Sequence, residues 1–268
     1  IGPRINAGGR VGKCSHGANL LLNKDPKNSF LLASELDQYN KERQLLEKDL
    51  LQKILNKTKN YFNDPVLILS GSNWHEGVIG IVAARLKDKF NKPVIIISLD
   101  GDIGKASARS IIGFDIGAVI IAATHENILL KGGGHKMAGG FSIKVENIEK
   151  LKNFVFKKFR NINIDLKSER PLLLDSIISP SAINLEFYNK VALLSPFGSG
   201  NPEPKFIIED VKTVNGKIVG EKHIKSVLVG NDGSTIKCIA FNAVENDIGA
   251  YLLKTNKKSF NIAGKLSL

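Results

Sequence analysis

The residues of this chain best placed to do chemistry are ones that would hold an anion. Lys131-Gly132-Gly133-Gly134-His135-Lys136-Met137-Ala138-Gly139-Gly140 puts five glycines into nine positions, 132–140, beside two lysines and a histidine. So many glycines raise the entropy lost on folding, so the backbone there needs unusual dihedrals or close approach by a ligand. Successive N–H groups in a loop of this kind form an anion-binding nest, and no acidic residue stands between Glu126 and Glu146. The order of Gly, Lys and Ser/Thr excludes a nucleotide-binding P-loop. Gly133, Gly134, His135 and Lys136 are therefore candidate phosphate contacts.

A second candidate is Lys105-Ala106-Ser107-Ala108-Arg109-Ser110. Strand alternation puts Lys105, Ser107 and Arg109 on one side, a face suited to a phosphate; the competing reading is a charged edge strand that resists aggregation. Ser70 to Gly77 joins a predicted strand to a predicted helix, where helix N–H groups face outward. His75 can donate to a phosphate or a base there or be a helix-entry residue with a satisfied ring, and a lone histidine favours the latter. Trp74 can stack on a base or pack in the core, and packing is the commoner role. Gly2-Pro3-Arg4-Ile5-Asn6-Ala7-Gly8-Gly9-Arg10 sets Arg4, Asn6 and Arg10 among glycines, a phosphate cradle or a solvated turn. Pro196 to Phe206 reads as a rigid turn feeding a strand. The five histidines and the carboxylates show no His-His, no His-Glu-x-x-His and no nucleophile elbow. The sequence offers places to hold a phosphate and no motif that would cleave one.

The elements that must position these residues follow from hydrophobic spacing. Leu32, Leu36, Tyr39, Leu46, Leu50 and Ile54 predict one long helix from Phe30 to Asn60, about 45 Å in length. A bridge between domains is the favoured role over a coiled-coil dimer, because Arg43 interrupts the stripe. From Val66 onward short β-branched runs (66–69, 94–97, 105–110, 141–145) alternate with helical ones (77–90, 115–123, 147–159), the pattern of an α/β domain with a mixed sheet. Asn161 to Arg170 reads as a linker ending at Pro171. Beyond it five or six short strands, one helix (181–194) and an Asn231-Asp232-Gly233 turn suit a small β-barrel of the OB type. Residues 1–29 show little regular pattern.

The formal net charge of +12 makes nucleic acid the default partner. Cys14 and Cys238 are too few for a disulfide framework or a thiolate zinc site, which fits a cytoplasmic setting. No apolar run approaches the roughly 18 residues of a membrane span. The opening Ile1-Gly2-Pro3-Arg4, without Met, reads as a piece of a longer polypeptide.

Taken in order, these runs resemble the RecJ branch of the DHH phosphoesterase superfamily over nearly the whole chain. Gly2 to Arg10 resembles the segment closing the catalytic DHH domain, and 30–62 the interdomain helix. Trp74 to Gly80, Ser107 to Ser110 and Gly132 to His135 resemble the DHH-associated α/β domain, 63–162. Pro196 to Phe206 lies in a region, 171–268, that resembles the RecJ OB-fold, here apparently stopping inside its last strands. Gly8 stands where the family often has Ala. The resemblance implies a 5′-to-3′ single-stranded-DNA exonuclease of recombination and repair using Mn²⁺ or Mg²⁺, with metal ligands that would precede Ile1. This portion alone would hold no metal and turn over no substrate. Ser107 and Arg109, with Lys105, Ser110 and His75 nearby, would grip a 5′ phosphate; His135 would line the cleft as an assisting catalytic residue; Arg4, Asn6 and Arg10 would contact the strand. A single-strand-binding protein or a helicase would be the protein partners. Alternatives are a non-catalytic single-strand-binding module and a DHH phosphodiesterase for short oligonucleotides.

Overall fold

The computed structural model describes residues 1–57, 64–162, 171–198, 200–253 and 258–268. The expected linker and the last residues of the predicted long helix fall largely outside these. The chain divides into two compact units, Ile1–Ser168 and Glu169–Leu268.

The first unit opens with three helices, α1 (Gly2–Val11), α2 (Ser15–Leu22) and α3 (Pro26–Lys57). The first two correct the expectation of irregular chain before residue 29. The Gly-Arg run is helical, so most of its N–H groups serve the helix and do not form a cradle. Its glycines serve close packing instead: a Cβ on Gly8 would lie 2.6 Å from the Lys13 carbonyl oxygen.

Helix α3 buries the predicted stripe within this unit. Leu36, Leu50 and Ile54 are buried, and the last two join the core beneath α4 (Glu76–Phe90). Arg43 does not leave the stripe open. Its guanidinium, 11% exposed, pairs with Glu47 at 2.5 Å and bonds the Asn40 Oδ1 at 3.0 Å. Arg85 of α4 pairs with the same carboxylate, so a polar cluster ties α3 to α4.

The sheet comprises β1 (Leu67–Ser72), β2 (Val94–Asp100), β3 (Ile103–Arg109), β4 (Lys131–His135) and β5 (Ala138–Lys144) in the order β1-β2-β3-β5-β4. Only β1 and β2 are parallel, so the sheet is mixed, as the alternating pattern predicts. Period-2 alternation decides its faces. Leu67, Leu69, Val94 and Ile96 pack toward α3 and α4. Ile68, Ile95, Ile97, Ala106 and Ala108 pack toward α5 (Ile116–His125) and α6 (Ile148–Arg160).

The glycine run is the larger correction. It is strand β4 of a hairpin with β5, and not a loop nest. Helix α5 crosses β4 and β5 closely. A Cβ on Gly132 would meet Ile120 at 2.7 Å, and one on Gly139 would meet it at 2.4 Å. The glycines on that face are required by packing.

The second unit holds β6 (Ser176–Ile177), α7 (Leu185–Ala192), β7 (Phe206–Val219), β8 (His223–Val229), β9 (Thr235–Ala240), α8 (Asp247–Leu253) and β10 (Phe260–Gly264). Strand β7 runs unbroken for 14 residues, longer than the short strands expected here. Its first half pairs with β10 and β6, its second with β8, and the register shifts between Thr213 and Asn215. A bulge bends a strand in this way, and the curled sheet β10-β7-β8-β9 results. Helix α8 was not foreseen, because Gly249 lowers helix propensity at its centre. Without that glycine a Cβ would sit 1.7 Å from the Ala243 carbonyl oxygen.

Candidate nucleic-acid interface

Strand register builds the site. Across β3, β5 and β4 three rows share the face that α4 only partly covers: Lys105–Ser142–Lys131, Ser107–Gly140–Gly133, and Arg109–Ala138–His135. Rows of neighbouring strands are about 4.8 Å apart, so each spans about 10 Å. The middle row has a hydroxyl at one end and bare backbone beyond it. The outer rows carry cations and His135. The result is a groove of about 530 Å³ between α4 and the sheet, lined by Glu76, Ile79, Lys105, Ser107, Gly133 and Gly140 among others.

Arg109 is half-buried beneath Gly80 of α4. Its Nη1 donates to the Ser107 hydroxyl at 3.2 Å and to the Ala108 carbonyl at 2.8 Å. Arg10, from the last turn of α1, donates to the Gly77 carbonyl at 3.2 Å, at the start of α4. Burial, and then the Arg10 charge, lower the Arg109 pKa from its ordinary value. Among the described residues neither arginine meets a carboxylate. Two converging cations without a counterion make a site that favours an anion.

The other expected contacts fall into two groups. His135 and Lys136 are exposed, with His135 in the Arg109 row, and Asn6 is exposed one helical turn before Arg10 on α1. By contrast, Lys105 pairs with Glu76 at 2.9 Å, which raises the lysine pKa. Arg4 pairs with Asp37 of α3 at 2.6 Å. The His75 Nδ1 accepts the Gly77 N–H at 3.1 Å and so caps α4. Trp74, partly buried, packs against the core beneath α4, its ring over Gly71 of β1. Gly134 turns toward α5, with Gly117 against its backbone.

Ser110 is a correction: it is 1% exposed and donates to the Phe114 carbonyl at 2.6 Å, so it closes the β3–α5 turn and does not reach the groove. Ser110→Ala should therefore lower stability by about 1 kcal/mol and leave oligonucleotide affinity unchanged. Urea denaturation alongside fluorescence anisotropy would check both.

In the second unit, register places Lys217, Lys225 and Ile239 in one exposed row, with Lys237 in the next, on the outer face of β7-β8-β9. Like charges directly opposite destabilise a sheet, and a polyanion would relieve them. Phe241 is exposed beside this face, edge-on to His223 at 5.2 Å. Sequence reading missed these residues; the outward alternation of β8 and β9 was the available signal.

Among the described residues no three His, Cys, Asp or Glu side chains gather as a metal site, so the divalent ions that the resemblance implies do not fit this donor set. No described helix is long and apolar enough to cross a membrane.

These two units match two known domain families. Residues 47–161 match the DHHA1 domain and residues 174–268 the RecJ OB domain. The class is thus a DHH-associated domain joined to an OB domain. The chain is RecJ-like over both units. It is 30% identical over 254 residues to the single-stranded-DNA-specific exonuclease RecJ of Bacillus subtilis, covering 91% of this chain and 31% of that protein. The Escherichia coli RecJ is 32% identical over 260 residues, covering 90% of this chain and 43% of that one. The crystal structure of Thermus thermophilus RecJ in complex with Mn²⁺ superposes with a TM-score of 0.78 at 28% identity, over 99% of this chain and 37% of that chain. The chain therefore spans less than half the length of these RecJ proteins.

Proposed function

We propose that this chain is the strand-holding part of a 5′-to-3′ single-stranded-DNA exonuclease acting in cytoplasmic recombination and repair. The observation that carries the reading is the pair Arg10 and Arg109, near enough for one charge to act on the other and meeting no carboxylate among the described residues, with Arg109 one strand row beyond a glycine-floored groove. The terminal 5′ phosphate sits against Arg109, Arg10 and the Ser107 hydroxyl, where charge-assisted hydrogen bonds are strong. The strand then runs over Gly140 and Gly133, whose missing side chains admit close approach. His135 borders it on β4 and assists from there, with Lys136 and Asn6 as outer contacts. The second unit carries a strand-binding face of its own on Lys217, Lys225 and Lys237, with Phe241 as a stacking platform. The RecJ OB domain match favours this over a phosphodiesterase of short oligonucleotides, which needs no second binding surface. Ions such as the Mn²⁺ of the Thermus protein would supply hydrolytic chemistry, and the residues of this chain bind and orient. A single-strand-binding protein or a helicase fits as a partner delivering the strand.

The test is anisotropy with the purified chain on 5′-phosphorylated and 5′-hydroxyl oligonucleotides at several salt concentrations. The phosphorylated end should bind more tightly, and log K should fall with log salt at a slope of about −0.7 per phosphate contact. The chain incubated with Mn²⁺ should leave the oligonucleotide intact. Equal affinity for the two ends, or no salt dependence, would overturn the proposal.

A further inference from the structure

Beyond the row of Arg109, Ala138 and His135 the sheet ends at two tied loops. The β3–α5 turn is fixed by buried Ile111 and Phe114, at 5% and 1% exposure. The Phe114 N–H donates to the Ile111 carbonyl at 3.3 Å, and the Ser110 hydroxyl bonds the Phe114 carbonyl. Gly113, at φ +95°, closes it. At the tip of this rigid turn stands Ile112, 89% exposed. An isoleucine so presented packs on nothing in the fold, and a turn tip ordinarily carries a small or polar residue.

The β4–β5 hairpin tip is held to the same turn. The Ser110 N–H donates to the Met137 carbonyl at 2.9 Å, and the Ile116 N–H to the Lys136 carbonyl at 3.3 Å. Met137 is 41% exposed, and its polarisable thioether suits the face of an aromatic ring. Ile112 follows Arg109 by three residues, at most about 10 Å of extended chain, which is within the span of one nucleotide.

We infer that Ile112 and Met137 form an apolar ledge that packs on the nucleobase of the nucleotide whose phosphate Arg109 holds. This rests on the anion-site reading above. Apolar side chains recognise the face of a base and not its hydrogen-bonding edge, so the ledge accepts any of the four bases and rejects a nucleotide that has none.

The experiment compares 5′-phosphorylated oligonucleotides carrying a normal or an abasic 5′-terminal nucleotide, bound to the full chain. The wild type should prefer the base-bearing end by about 5- to 10-fold. Combining Ile112→Ser with Met137→Gln should bring that ratio to near one while the preference for 5′ phosphate over 5′ hydroxyl stays. Ile112→Leu should keep the ratio, since it conserves apolar area. A wild type indifferent to the base, or a double variant that keeps the ratio, would overturn the ledge. A base-dependent ratio in a wild type without phosphate preference would support the ledge and overturn the anion site.

Discussion

Arg109→Ala is expected to weaken binding to a 5′-phosphorylated oligonucleotide by about 10- to 100-fold, the worth of a hydrogen bond to a charged group. Binding to the 5′-hydroxyl form should fall far less, because the strand's internal phosphates are held elsewhere. Stability should move in the opposite sense. Arg109 is half-buried with no carboxylate partner among the described residues, and both its burial and Arg10 act against its charge. Removing it takes away a cation that only a hydroxyl and a backbone carbonyl meet, so the thermal midpoint should hold or rise. A side chain whose loss harms the ligand complex and spares the fold is placed for the ligand. Equal losses for the two oligonucleotides would take Arg109 out of the end pocket. A falling midpoint would make it structural.

The glycines of β4 should separate just as sharply. A Cβ on Gly134 would lie 2.4 Å from the Ala138 carbonyl oxygen and 2.6 Å from the Gly139 Cα. Both are backbone atoms and cannot swing aside. Gly134→Ala should cost about 3 kcal/mol of stability, the upper range of overpacking. Gly133, one residue away, points to the other face, where a Cβ would meet nothing within 4 Å. Its φ is not in the left-handed region, so neither packing nor backbone geometry demands glycine there. Gly133→Ala should therefore stabilise the chain by about 0.5 kcal/mol through a less flexible unfolded state. It should also weaken oligonucleotide binding by about 10-fold, because a methyl would rise from the groove floor where the strand passes. Urea denaturation and anisotropy on the two variants read both quantities. Unchanged affinity in Gly133→Ala would mean that the strand does not cross that floor.

These two variants also show why the glycine run was hard to read from sequence. Its five glycines answer different demands. Gly132, Gly134 and Gly139 let α5 and the hairpin strands approach one another, whereas Gly133 and Gly140 lie on the groove face. A glycine-rich strand carries no β-branched or aromatic signal, so it resembles a loop until the hairpin partner is known. Strand β3 was legible because Ala106 and Ala108 alternate with Lys105, Ser107 and Arg109. Helix α1 was not, since three glycines and a proline hide its period.

By itself the sequence determined the alternating α/β unit, the strand-rich second unit and the basic character of the whole. Apolar periodicity and net charge are local or additive properties that survive without knowing any partner. Only the tertiary structure decided which polar groups stay free to meet a ligand. Lys105 is claimed by Glu76, 29 residues earlier, and Arg4 by Asp37, 33 residues later. Arg10 and Arg109, 99 positions apart in the chain, come close enough for one charge to act on the other. Pairings over such separations depend on how helices and strands pack, and no local pattern of residues encodes them.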